Sequence, residues 1–255
     1  EIVPGRCETR TVWLSQKRRI IWREGGKDSH WGLDNGLAAL VTLALHMGLM
    51  GYDMLMADMV PGRVQTMSED FPLPTDELMV RWTEASALMP LLQFSYFPWN
   101  YSEATEKAVL GFARLHKALE SYIVSSARGR TAPLVRPLWY DSPETPELYS
   151  VPDEFLLGKD LLAAPVLTEG AAVRAVILPP GRWIDAWTGR ELAGGLHENF
   201  PAPCPGMPLF VRAENATLYE TVHSALSEIR RASVPSGVTS TTWRSGLNRD
   251  LSVTG

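Results

Sequence analysis

The stretch GGKDSHWGLDNG, residues 25–36, sets Asp28, His30, Trp31 and Asp34 among four glycines, just after the apolar run RIIW at residues 19–22. A carboxyl group beside an aromatic wall is partly desolvated, which raises its affinity for a proton and suits it to protonate a leaving oxygen in glycoside hydrolysis. The Trp31 face would also stack on a sugar ring. Gly25 and Gly26 permit backbone turns that other residues resist, so the loop can carry residues 27–31 over the end of the preceding element. Asp28 has a second reading as a cap or a solvated loop carboxylate, because Asp and Gly are common turn residues. Asp58 closes the apolar run Leu55-Met56-Ala57, where a charge costs free energy unless it is paired or put to use. His30 and His46 lie sixteen residues apart with no metal-ligand spacing. The sequence holds no Gly-rich phosphate loop, nucleophile elbow or Cys-x-x-Cys pair. Neither a metal nor a cofactor is expected.

Periodicity indicates the elements that must position these groups. A short strand ends near Glu24, and a helix follows with Leu37, Leu40, Val41, Ala44, Leu45 and Gly48 on one face, Asp34-Asn35 offering its N-cap. Residues 52–59 read as a second strand, 75–85 as a helix and 87–97 as a third strand. Ser102 then caps a long helix to about Ala127, striped by Val109, Phe112, Leu115, Leu119, Tyr122 and Ile123. Strands alternating with helices imply a parallel arrangement, with functional groups at the carboxyl ends of the strands. There stand Asp28, Asp58 and the aromatic run 94–99, whose other reading is a plug for the sheet's end.

After Gly129 the texture changes to frequent prolines and short β-rich runs. Ala175–Leu178 and Trp183–Trp187 flank Pro179-Pro180-Gly181-Arg182, a hairpin signal, and an antiparallel sandwich is expected over residues 133–213. The fold class is α/β followed by all-β, divided as residues 1–130, 131–213 and a disordered tail 214–255. Residues beyond about 220 are expected to be dispensable for solubility.

Composition narrows the partners. The 255 residues are 45% hydrophobic and 21% charged, enough to bury a sizeable core. A net charge of −5 argues against a nucleic-acid footprint, which needs a basic patch, and favours a sugar or another small molecule. Cys7 and Cys204 form neither a disulfide framework nor a zinc spacing. The longest apolar stretch, residues 37–56, is interrupted by His46, Gly48, Gly51 and Asp53, so no membrane segment is expected. Asn100-Tyr101-Ser102 and Asn215-Ala216-Thr217 match the N-glycosylation acceptor, which has meaning only in a secretory or extracellular setting, and matches this short also arise by chance. Self-association into a homo-oligomer stays open.

Several longer motifs carry a resemblance. KDSHWGLDNGLAALVTLALHMGLMGYDMLMADMVPG resembles the sixth and seventh barrel strands of glycoside hydrolase family 31, most closely its myogenesis-regulating branch. LVRPLWYDSPE, YSVPDEFLLGKDLLAAPVL, LPPGRWIDAWTG and PGMPLFVRA resemble that family's passage into its proximal β-sandwich. The resemblance covers residues 19–213. It implies the C-terminal part of a (β/α)8 TIM barrel, about strands 6 to 8, followed by an antiparallel β-sandwich. It further implies a retaining α-glycosidase acting on an α-glycoside or oligosaccharide, with Asp28 as acid/base, and Arg23, Trp31 and Asp58 lining the sugar pocket. The branch implies an α-galactoside substrate. Two departures stand out: the family's nucleophile belongs to a fourth strand upstream of these residues, and Gln93-Phe94-Ser95 replaces an Arg-Asn-His run, removing a sugar-contacting His. The isolated chain is therefore expected not to turn over. The competing class is a non-catalytic, truncated product whose β-sandwich binds sugar or scaffolds.

Overall fold

A computed structural model describes residues 10–15, 18–22, 28–52, 54–56, 58–62, 73–128 and 132–233. Strand β1 (Arg10–Ser15) pairs antiparallel with β2 (Arg18–Trp22), and β2 pairs in parallel with β3 (Met54–Met56), Trp22 standing opposite Met56. Helix α1 (Leu37–Leu49) makes the crossover that parallel neighbours require. The antiparallel β1 departs from a purely parallel sheet. The N-cap of α1 is Gly36 rather than Asp34 or Asn35, and no side chain caps it. Loop carbonyls do so instead: Leu37 N donates to His30 O at 2.8 Å and Ala38 N to Trp31 O at 3.3 Å.

Helix α2 (Asp76–Ala87) begins at Thr75, whose hydroxyl accepts the Leu78 amide at 3.2 Å. The strand expected over 87–97 is not formed as such. Helix α2 runs through Ala87, and Pro90 then brings no amide hydrogen to a ladder. What remains is a bond from Leu91 N to Leu55 O and a parallel bridge between Val60 and Phe94. The long helix that follows is two segments, α3 (Glu103–Ala118) and α4 (Glu120–Ala127), and Ser102 caps α3 by accepting Thr105 N at 3.3 Å.

Six strands follow: β4 (Val135–Arg136), β5 (Phe155–Leu157), β6 (Leu161–Ala163), β7 (Val173–Asp185), β8 (Glu191–Pro201) and β9 (Leu209–Arg212). They form one antiparallel sheet in the order β4-β5-β6-β9-β7-β8. The hairpin expected at residues 179–182 is a bulge within β7: Leu178 pairs with Gly195 and Arg182 with Ala193, four residues of β7 spanning two of β8. Pro179 and Pro180 have no amide to pair, and Gly181 and Gly195 take φ of +120° and +127° to absorb the bend. The true hairpin turn follows Asp185, closed by Asp185 N to Arg190 O at 2.9 Å.

Alternate residues of β5, β6 and β9 serve different cores. Phe155, Leu157, Leu161, Ala163, Leu209 and Val211 join the helices, while Leu156, Leu162 and Phe210 join Val176, Leu178, Trp183 and Leu192 of the β7–β8 ribbon. The sheet therefore encloses a sandwich-like core of its own.

The disordered tail is corrected over its first part, because helix α5 (Ala216–Ser233) occupies it; residues 234–255 lie outside the described residues. Leu218, Val222, Leu226 and Ile229 form a buried stripe against α3, so these residues are not dispensable. Contact is close at Gly111, where an added Cβ would lie 2.5 Å from Ile229 Cγ1.

A buried ion pair ties α2 to the sheet domain. Arg81 and Glu84, 1% and 0% exposed, are 3.0 Å apart. Arg81 also donates to the carbonyls of Ala171, Ala202 and Pro203, and Glu84 accepts the Gly206 and Met207 amides at 2.6 and 3.2 Å. Burial pushes the Glu84 pKa up, opposed by Arg81 and these amides.

Two predictions follow from this packing. Leu226→Ala is expected to destabilise the chain by about 2–5 kcal/mol in denaturant melts, as a cavity in a core does. Glu84→Ala, which strands the Arg81 charge and two amides, is expected to cost about 3–5 kcal/mol in the same assay.

Candidate functional site

Asp28 is half-buried in the loop between β2 and α1. Two bonds clasp it to Asn35: Asp28 N donates to Asn35 O at 2.9 Å, and Asn35 Nδ2 donates to Asp28 Oδ2 at 3.2 Å. No hydrogen bond reaches Oδ1 among the described residues. One carboxylate oxygen is thus held by the Asn35 amide. The loop is tightened further by His30 N to Asp28 O at 2.8 Å, Gly36 N to Gly32 O at 3.0 Å, and Gly32 N to the His30 ring Nδ1 at 3.0 Å. A side chain at Gly36 does not fit, since its Cβ would stand 2.3 Å from His30 O and 2.6 Å from Gly32 N.

Trp31 is half-buried and packs partly against the helix-side core. Asp58 is 2% exposed two residues beyond β3, and its Oδ1 accepts the Met59 amide at 2.7 Å. Because β2 and β3 are parallel, Asp28 and Asp58 both follow the carboxyl end of the same strand pair. Arg23 lies outside the described residues. Among the described residues, no three His, Cys, Asp or Glu side chains group as a metal site, and no helix is long and apolar enough to cross a membrane.

Two contributors were not evident from sequence. Asn35 reads there as a helix cap, whereas its side chain holds Asp28. Ser95 stands within the segment that departs from the family's Arg-Asn-His run. Its hydroxyl, with 2.9 Å to Val60 O, also reaches Gly62 O, while Val60 N donates to Gln93 O at 2.9 Å. The segment 93–95 thereby fastens the chain just beyond Asp58. The signal for Asn35 was a polar pair seven residues apart, legible only once the loop closes.

A polar loop thus lies beyond the carboxyl end of a parallel strand pair, beside an all-antiparallel domain. Residues 131–216 match the Glycosyl hydrolase family 31 C-terminal domain, and the chain carries that family's domain over β4–β9. It is 33% identical over 211 residues to the mouse myogenesis-regulating glycosidase, covering 80% of this chain and 29% of the relative. It is 32% identical over 232 residues to a 1,3-alpha-isomaltosidase of Kribbella flavida, covering 82% of this chain and 30% of that protein. A solved GH31 alpha-xylosidase from a soil metagenome, complexed with xylose, aligns with a TM-score of 0.66 at 27% identity over 79% of this chain and 32% of its own. The chain thus spans about three tenths of the length of these relatives.

Gly36→Ala is expected to force the loop apart and lower stability by about 1–3 kcal/mol, the usual range for overpacking. Thermal melts check the cost, and amide exchange of Leu37 and Ala38 checks that it arises in this loop.

Proposed function

We propose that the chain is the C-terminal part of a retaining α-glycosidase, contributing about strands 6 to 8 of a (β/α)8 barrel and the β-sandwich beside it. In this reading Asp28 is the acid/base, and Arg23, Trp31 and Asp58 line the sugar pocket. The observation that carries it is the pairing of β2 and β3 in parallel, with Asp28 and the buried Asp58 both beyond their carboxyl ends. The Asn35 amide holds one oxygen of the Asp28 carboxyl, which supports a reading in which this group gives a proton to a leaving glycosidic oxygen and later takes one from water.

The covalent step needs a second carboxylate about 5 Å from the first, the separation of a retaining pair. By the family resemblance it belongs to a fourth barrel strand. An α-galactoside is the proposed substrate, on the resemblance to the myogenesis-regulating branch; relatives named isomaltosidase and xylosidase show how far specificity ranges on this scaffold.

One observation favours a second reading, a non-catalytic product with a sugar-binding or scaffolding sandwich. Strand β1 lies antiparallel on β2, on the edge opposite β3, where a preceding barrel strand would pair in parallel.

The test is Asp28→Asn in a chain that includes the nucleophile strand. Hydrolysis of alkyl galactosides is expected to fall roughly 10²–10⁴-fold, with activated aryl galactosides much less affected, because acid assistance matters most for a basic leaving oxygen. Equal loss on both substrates makes Asp28 structural, and an active parent chain excludes the scaffolding reading.

A further inference from the structure

The sequons at Asn100 and Asn215 are alike in sequence and opposite in structure. Asn215 is half-buried at the start of α5 and uses both ends of its amide: Nδ2 donates to Asp160 Oδ2 at 2.9 Å, and Oδ1 accepts Leu218 N at 3.1 Å. A glycan there would crowd the Asp160 contact and the helix cap. Asn100 ends an exposed 3-10 turn (Pro98–Asn100), and among the described residues its side chain makes no hydrogen bond.

The same turn presents two aromatic rings that the described residues leave exposed. Phe97 and Trp99 are 56% and 63% exposed, and their rings stack at 4.6 Å between centroids with planes 7° apart. Asn100 N donates to Phe97 O at 3.0 Å, which closes the turn and keeps Phe97 and Asn100 together. Large apolar rings in water are costly, and the electron-rich ring face attracts the polarised C–H groups of a pyranose. A sugar attached to Asn100 would start within the same turn as that surface.

We propose that Asn100 is an N-glycosylation site whose first sugar covers the Phe97–Trp99 pair, and that Asn215 stays unmodified in the folded protein. The donor class is an oligosaccharide on a lipid diphosphate. Asn100 Nδ2 forms a C–N bond to the anomeric carbon, the C–O bond to the diphosphate breaks, the lipid diphosphate leaves with the electron pair, and the amide nitrogen gives up one proton. This inference uses neither Asp28 nor a nucleophile.

The full chain, carrying a cleavable secretion signal, would be made in a glycosylating eukaryotic cell together with a control glycoprotein. Its folded, soluble fraction would be weighed intact before and after peptide N-glycosidase, and mapped by peptides. The expected result is one glycan, on Asn100: Asn100→Gln abolishes the mass shift and Asn215→Gln preserves it. An unmodified Asn100 beside a normally modified control overturns the site, as does a glycan on Asn215 in the folded fraction. For the ring contact, the parent is expected to melt higher than Asn100→Gln, and the difference to vanish on a Phe97→Ala/Trp99→Ala background. An undiminished difference on that background overturns the stacking.

Discussion

The buried pair of Arg81 and Glu84 is the constraint on which the two parts of this chain depend. Taking two charges out of water costs more than their attraction returns unless other partners complete the shell. Here three carbonyls of the sheet domain and two amides of the turn before β9 supply most of it, while Arg81 Nε has no hydrogen bond among the described residues. Helix α2 alone cannot meet that demand, and the loops at residues 171 and 202–207 supply the further partners. The pair therefore sets where the α/β elements sit against the sheet.

From that anchor the apolar packing spreads over a common core. Helices α1, α2, α3 and α5 and one face of β5, β6 and β9 bury their side chains together, so the α/β elements and the antiparallel domain share an interior. The other face closes under the β7–β8 ribbon, which can bend because two prolines and two glycines break its ladder at one place. Strands buried on both faces must be apolar throughout, which is why FLL, LLA and LFV show no alternation.

The candidate site follows the same economy of polar groups. The first amides of α1 need acceptors, and the loop from Asp28 provides carbonyls rather than a capping side chain. That choice frees Asn35 to hold Asp28, and it demands Gly36, where the loop backbone passes too close for any Cβ. Helix capping and carboxylate positioning are thus one structure.

By itself the sequence determined the parts governed by local physics. The stripe from Leu37 to Gly48 made α1, Ser102 made its cap, Asp28 stood out beside Trp31, and Asp58 stood out as a carboxylate closing an apolar run, because periodicity, capping and desolvation act within a few residues. Its motifs also carried the family resemblance. Only the tertiary structure decided the rest. Residues 87–97 had the apolarity of a strand but, with Pro90 among them, keep one bond and one bridge. Residues 179–182 had the composition of a hairpin but bulge because β8 lies beside them. Residues 216–233 fall in the stretch that reads as a tail, but α3 supplies the surface that buries Leu218, Val222, Leu226 and Ile229. The partners of Arg81 lie about 90 to 120 residues away in the chain, and no local pattern records a contact at that distance.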